Sequence, residues 1–155
     1  MAIRNATKAI IIRDGKVLLN KCKGYNGEIY YDMPGGGQQQ YETMEEAVVR
    51  ECLEETGYLV RVIRFAALAE EIHDNMELRE KFYDYSHRVH HIFVVEFVDG
   101  ILHKPTEIDF QQEECQWIDI DDIPLINLRP KQVKENFTKI ISSVTPLYLG
   151  AIHVN

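Results

Sequence analysis

The stretch MPGGGQQQYETMEEAVVRECLEETGY, Met33 to Tyr58, decides how this chain is read. Thr43 followed by Glu46 forms a capping box, so a helix is expected to start just after Thr43. Gly57 suits the position past a helix end and sets its stop. Successive helical residues turn by about 100°, so with Glu51 at zero, Met44 falls at about 20°, Ala47 at about -40° and Val48 at about 60°. Glu54 then lies at about -60° and Glu55 at about 40°. The three carboxylates extend the apolar stripe instead of opposing it. Val49 and Leu53 lie on the far side, which implies a helix covered on two faces.

A solvated acidic face is the ordinary explanation of a glutamate-rich helix, but it fits this one poorly. Three carboxylates within about 100° of arc repel one another, and covering them is costly unless a cation neutralises them. Hard divalent ions prefer carboxylate oxygens, and magnesium takes one or two of them together with substrate phosphates. The stripe therefore reads as packing surface that turns into a metal site along its length.

Outward from the helix, KAIIIRDGKVLL (Lys8 to Leu19) has two β-rich runs around Asp14-Gly15, a hairpin signal. Gly35, Gly36 and Gly37 are expected to be irregular and to let a ligand approach the backbone. Downstream, YLVRVIRFAALAEEI reads as one strand or two short ones, and the segment from Asp74 to Ser86 as a loop with some helix. RVHHIFVVEF (Arg88 to Phe97) reads as a buried strand, and CQWIDI as another. KQVKENFTKIISSV (Lys131 to Val144) places Val133, Phe137, Ile140, Ile141 and Val144 at helical spacing. Strands and helices mix without strict alternation, which predicts an α/β fold: a mixed sheet with helices packed on it.

The length of 155 residues fits one domain, residues 1–155. With 25 acidic residues against 17 basic ones and a net charge of -8, a nucleic-acid polymer is not an expected partner. The start, MAIRNATKAI, has no apolar run of signal-peptide length and no stretch approaches a membrane span, so the expectation is a cytoplasmic protein without a membrane partner. Cys22, Cys52 and Cys115 are widely spaced, with no C-x-x-C pair, and read as reduced packing residues.

Gly36, Glu42, Arg50, Glu51, Glu54, Glu55 and Gly57 meet the spacing G-x5-E-x7-R-E-U-x-E-E-x-G-U, and on these residues the chain resembles the Nudix (MutT-like) hydrolases. A chance match at all seven positions is on the order of 10⁻⁸ per window. The hairpin before the box, the Pro34-Gly35-Gly36 lead-in and the later strand with Trp117 extend the likeness over most of the chain. There are departures. The two aliphatic positions hold Cys52 and Tyr58, and the turn Gln38 to Glu42 lacks the acidic residue and the glycine that many members carry near Gln39 and at Tyr41.

The resemblance implies a Nudix-type α/β/α sandwich and hydrolysis of a diphosphate linkage, with water attacking phosphorus and the bridging oxygen leaving. It implies Mg2+ or Mn2+ held by Glu54 and Glu55, with Glu51 as a further ligand or as the base, and a backbone carbonyl around Gly35 completing the shell. Arg50 is implied as the residue that orients the box carboxylates, Glu42 as its support, and Gly36 and Gly57 as backbone positions. The implied partner is a small nucleotide or nucleotide derivative, and family habit adds a homodimer.

Outside the box, Glu114, beside Glu113, is a candidate ligand or base, although two acids before a strand are more often solvated. Gly36 and Gly37 are candidates for close substrate approach. Tyr83, with Phe82, Tyr85, Tyr25 and Tyr30, is a candidate to stack on a base. Arg129, with Lys131, is a candidate for phosphate. His90 and His91 fall on opposite faces of their strand, so at most one is expected in a cleft.

No proline occurs between Pro34 and Pro105, and the next tyrosine after Tyr58 is Tyr83, so the family's markers for ADP-ribose and dinucleoside polyphosphates are absent. A nucleoside triphosphate or a nucleotide-sugar type of substrate stays open. A rival reading is a ligand sensor or interaction domain on the same fold without catalysis; such domains usually lose box carboxylates, and none is lost here. Isoprenyl diphosphate isomerisation would need a reactive cysteine in the pocket, whereas Cys52 sits at a packing position.

Overall fold

The computed structural model describes residues 3–102 and 112–155. The hairpin signal is realised by β1 (Arg4–Arg13) and β2 (Lys16–Lys23). Asp14 and Gly15 between them take φ of 52° and 73°, the two left-handed residues that a tight primed turn requires. β3 (Ile29–Asp32) and β4 (Gly35–Gly37) follow, then α1 (Met44–Thr56), β5 (Tyr58–His73) and α2 (Met76–Lys81). β6 (His87–Leu102), β7 (Gln112–Asp119), β8 (Leu128–Arg129), α3 (Lys131–Ser142) and β9 (Leu147–Val154) complete the described chain.

The strand order is β8-β3-β2-β1-β6-β5-β9, with β4 on β1 and β7 on β2. β1 runs parallel to β6, β3 to β8 and β5 to β9, and the other pairs are antiparallel, so the sheet is mixed. β1 and β2 pair only at their turn, through Ile12 with Val17 and Arg13 with Lys16. Beyond it they part, each into its own half of the sheet.

Alternation along β1 sends Ala9 and Ile11 to one face and Ile10 to the other. The first face packs with Leu18, Phe93 and Val95 against Val48 and Cys52 of α1. The second packs with Leu19, Met33 and Ile92 against Val133, Phe137 and Ile140 of α3. One helix therefore covers each face, giving an α/β/α sandwich. Near the first core Trp117 meets Tyr58 and Phe97 at ring-centre distances of 6.4 and 6.0 Å. No helix among the described residues is long and apolar enough to cross a membrane.

Several local expectations change. The glycine triplet is not irregular: it is a strand, paired through Gly35, Gly36 and Gly37 with Lys8, Thr7 and Ala6. Close pairing requires the missing side chain, since a Cβ on Gly35, at φ 145°, would lie 1.9 Å from the Thr7 carbonyl oxygen. YLVRVIRFAALAEEI forms one strand, β5, bent by three register shifts against β6. Val144 lies past the end of α3 and is 90% exposed, so it is no part of the helical stripe. β9 had no counterpart in the sequence reading. The cysteines are reduced and at least partly buried, and burial pushes the Cys22 thiol up to about 12.

Candidate active site

The capping box is made on α1, with Thr43 accepting from the Glu46 N–H and Glu46 from the Thr43 N–H, and Gly57 closes the helix at φ 78°. The helix is thereby fixed in length. Glu55 falls inside the buried stripe at 4% exposure, beside Val48 and Cys52. Its Oε2 accepts from the Gly35 N–H at 2.9 Å and from Asn20 Nδ2 at 3.0 Å, tying α1 to β4 and β2. Glu51 and Glu54 lie at the margin of the stripe, half-buried.

Arg50 holds this margin together. Its Nε and Nη2 donate to the two Glu42 carboxylate oxygens at 2.7 and 3.0 Å, a forked contact. Nη2 also donates to the Gly37 carbonyl at 3.1 Å, and Nη1 to Glu51 Oε1 at 2.9 Å and Glu54 Oε2 at 3.1 Å. Those hydrogen bonds from Arg50 hold the Glu42 carboxyl below the usual carboxylate range, and Glu42 in turn raises the Arg50 pKa. Gly36 lies under Glu51: a Cβ there would be 2.6 Å from the Glu51 carboxyl carbon.

Gly36, Gly37, Arg50, Glu51, Glu54 and Glu55 border a cleft of about 1190 Å³ where β1 and β2 have parted. Lys8, buried at its inner end, pairs with Asp32 at 2.8 Å. Burial works against its charge, but Asp32 and Glu55 raise its pKa above the ordinary lysine value. Glu71, also buried, pairs with Arg88 and lies 3.5 Å from His90 Nε2. Burial would raise the Glu71 pKa, yet His90 and Arg88 bring it down to about 2.

Of the residues singled out from sequence, Glu51, Glu54, Glu55, Arg50, Gly35, Gly36, Gly37 and Arg129 all border this cleft. Arg129 stacks at 4.0 Å over Tyr30 and pairs with Glu28 at 2.7 Å. Glu114 is not brought there: on β7 it stands opposite Lys21 of β2, 3.8 Å from its ammonium, with its side chain 55% exposed. Tyr83 is not brought there either. It sits in a 3-10 turn, where residues three apart share a face, so Phe82 and Tyr85 look into the cleft together and Tyr83 turns to solvent. Of the two histidines, His90 borders the cleft and His91 does not. Asn20, Lys8, Glu71 and Arg4 were missed. Lys8 was findable, as a lone cation inside an apolar alternating run.

The donor set fits a hard divalent cation: three carboxylates within about one helical turn, without thiolate or imidazole among them. Glu51 and Glu54 already place oxygens within 3.1 Å of one cationic nitrogen, Arg50 Nη1, so they can share a positive centre. Among the described residues no three acidic, histidine or cysteine side chains converge on one point as arranged here, since the guanidinium stands between two of the acids.

Residues 3–138 match the family model described as NUDIX domain. The chain is 32% identical over 119 residues to the oxidized purine nucleoside triphosphate hydrolase of Danio rerio, covering 76% of this chain and 67% of that protein. It is 25% identical over 134 residues to the ADP-ribose pyrophosphatase of Methanocaldococcus jannaschii, covering 86% and 72%. Among solved structures, a MutT NUDIX hydrolase from Burkholderia pseudomallei superposes with TM-score 0.64 at 26% identity, over 86% of this chain and 96% of that one.

Proposed function

The chain belongs to the NUDIX family, as a pyrophosphohydrolase, and from that premise we propose that it hydrolyses the diphosphate linkage of a nucleoside triphosphate or nucleoside diphosphate derivative with a divalent cation, Mg2+ or Mn2+. The observation that carries this is the seating of Glu51 over Gly36, on the lining of the cleft, with Glu54 beside it and both held by Arg50.

Glu51, Glu54 and Glu55 would hold the cation, with the backbone at Gly35 beside them. When bound, such an ion neutralises the diphosphate and lowers the pKa of the attacking water. The chain's own residues supply the rest. Glu51, where it is not a ligand, takes the water's proton at a carboxylate oxygen as water adds to phosphorus and the bridging oxygen leaves with the second phosphate. Arg50, itself anchored by Glu42, fixes where Glu51 and Glu54 point. The space a side chain would take at Gly36 and Gly37 is filled by Glu51 and Arg4, so a phosphate passing the glycine strand meets those two groups.

The relatives that act on ADP-ribose and on oxidized purine nucleoside triphosphates support this range of substrates. Phosphate release from a panel of nucleoside triphosphates, ADP-ribose and nucleotide sugars, with and without Mg2+ or Mn2+, tests the reading. Glu54→Gln is expected to abolish the divalent-dependent release while leaving the circular dichroism spectrum unchanged. Undiminished turnover in that variant refutes the metal assignment, and binding without turnover across the panel by the unaltered protein would make the chain a ligand sensor instead.

A further inference from the structure

Arg4 stands apart from the other arginines that border the cleft. Arg50, Arg88 and Arg129 are each neutralised by carboxylates of the chain itself. Arg4 makes no ion pair or hydrogen bond among the described residues. Its guanidinium is nevertheless held: it lies 4.4 Å over the Tyr85 ring and rests on Gly37, where a Cβ would come within 2.5 Å of Nη2 and 2.7 Å of Cζ. Stacking occupies the face of a guanidinium and leaves the in-plane N–H donors directed outward, the fork that matches a phosphate.

The position of that fork is informative. Gly36 and Gly37 are neighbours in one strand, so their missing side chains face opposite ways. Glu51 occupies the space at Gly36 and Arg4 the space at Gly37. Standard backbone dimensions then keep the Arg4 guanidinium within roughly 12 Å of the Glu51 carboxyl, on the other side of the strand. Arg4 also borders a second cavity of about 430 Å³, which shares Gln38 and Gln39 with the cleft and is otherwise formed by Ile3, Asn5 and the turn from Gln40 to Glu42. Glu51 and Arg4 nevertheless border the same cleft, and β4 pairs only with β1 among the described residues, so a phosphate chain that starts at the acidic margin and rounds the free edge of β4 comes within reach of Arg4.

We propose that Arg4 grips a phosphate beyond the diphosphate that is cleaved, so that the cleft favours substrates with three or more phosphates in a chain over diphosphate derivatives. This rests on the function proposed above and narrows its substrate class. Lys8, Arg88 and Arg129 are already paired within the cleft. They do not offer a further phosphate the unshared charge that Arg4 does.

The test compares kcat/KM for a nucleoside triphosphate and a dinucleoside tetraphosphate with kcat/KM for ADP-ribose and a nucleotide sugar. Arg4→Ala is expected to lower the ratio of the first pair to the second about tenfold, chiefly through KM, the order of one charge-assisted hydrogen bond. Arg4→Lys should fall between. Gly37→Ala, whose Cβ displaces the flexible end of Arg4, should lower the ratio similarly and add little to Arg4→Ala in the double variant. A fall of less than about threefold in Arg4→Ala overturns the proposal, as does an unaltered protein that prefers the diphosphate derivatives. If the unaltered protein turns over nothing in the panel, the functional reading fails by itself, and calorimetric titration decides the Arg4 site. Inorganic tripolyphosphate bound more tightly than pyrophosphate, with the difference lost in Arg4→Ala, supports it; equal affinities overturn it.

Discussion

At the scale of single residues, the box was legible because its chemistry is local in sequence: Glu51, Glu54 and Glu55 share a helix, and Arg50 and Glu42 lie within reach of it. Glu71 was not legible, since its partners Arg88 and His90 lie on a different strand and only the register of β5 on β6 brings them together. That pair has a consequence for acid stability. The folded carboxyl titrates at about 2, below the usual 4.5, because His90 and Arg88 outweigh the effect of burial. A depressed carboxyl contributes stability that is fully present above the unfolded value and is lost as pH falls from about 4.5 to about 2. The thermal midpoint should therefore drop through that window. In Glu71→Gln the midpoint is expected to be lower at neutral pH and its slope between pH 4.5 and 2 shallower; an unchanged slope would mean that another carboxyl governs acid unfolding.

At the scale of elements, α1 was read to within a residue because its boundaries are written as caps: the Thr43 and Glu46 exchange at one end and Gly57 at the other. β4 and β9 escaped for opposite reasons. A run of glycines carries no strand preference of its own, and β4 is a strand because it pairs with β1, so closely at Gly35 that a Cβ there would meet the Thr7 carbonyl. β9, LYLGAIHV, contains Gly150 at φ 79° and gains its strand state by pairing with β5, some eighty residues earlier in the chain. The cap of the box helix bears on stability more than on the site. Thr43→Ala should destabilise the protein by about 1 kcal/mol, measured by urea unfolding. Catalysis at a temperature well below the midpoint should be little affected, since Arg50, Asn20 and Gly35 hold the acids independently of the cap.

At the scale of the whole molecule, the sandwich follows from one alternation: β1 gives Ile10 to the core under α3 and Ala9 and Ile11 to the core under α1. A mixed α/β architecture was legible from the order of runs, but the parting of β1 from β2 that opens the cleft was not, because it depends on which strands each one pairs with next. Two cores that share their strands should melt together, as a single domain does. Phe137→Ala, emptying a 3% exposed position in the core under α3, is expected to cost about 3–5 kcal/mol. Methyl resonances of Val48 and Val95 in the opposite core should lose their dispersion at the same urea concentration as the far-ultraviolet ellipticity. Separate midpoints would divide the chain into two units. The aromatic group around Trp117 has a practical corollary: the chain's single indole is wedged against Tyr58 and Phe97, beside the core on which the box helix rests. Its emission wavelength thus reads the seating of that helix without any added label, and each charge variant brings an optical check that separates a disarmed site from a dislodged one.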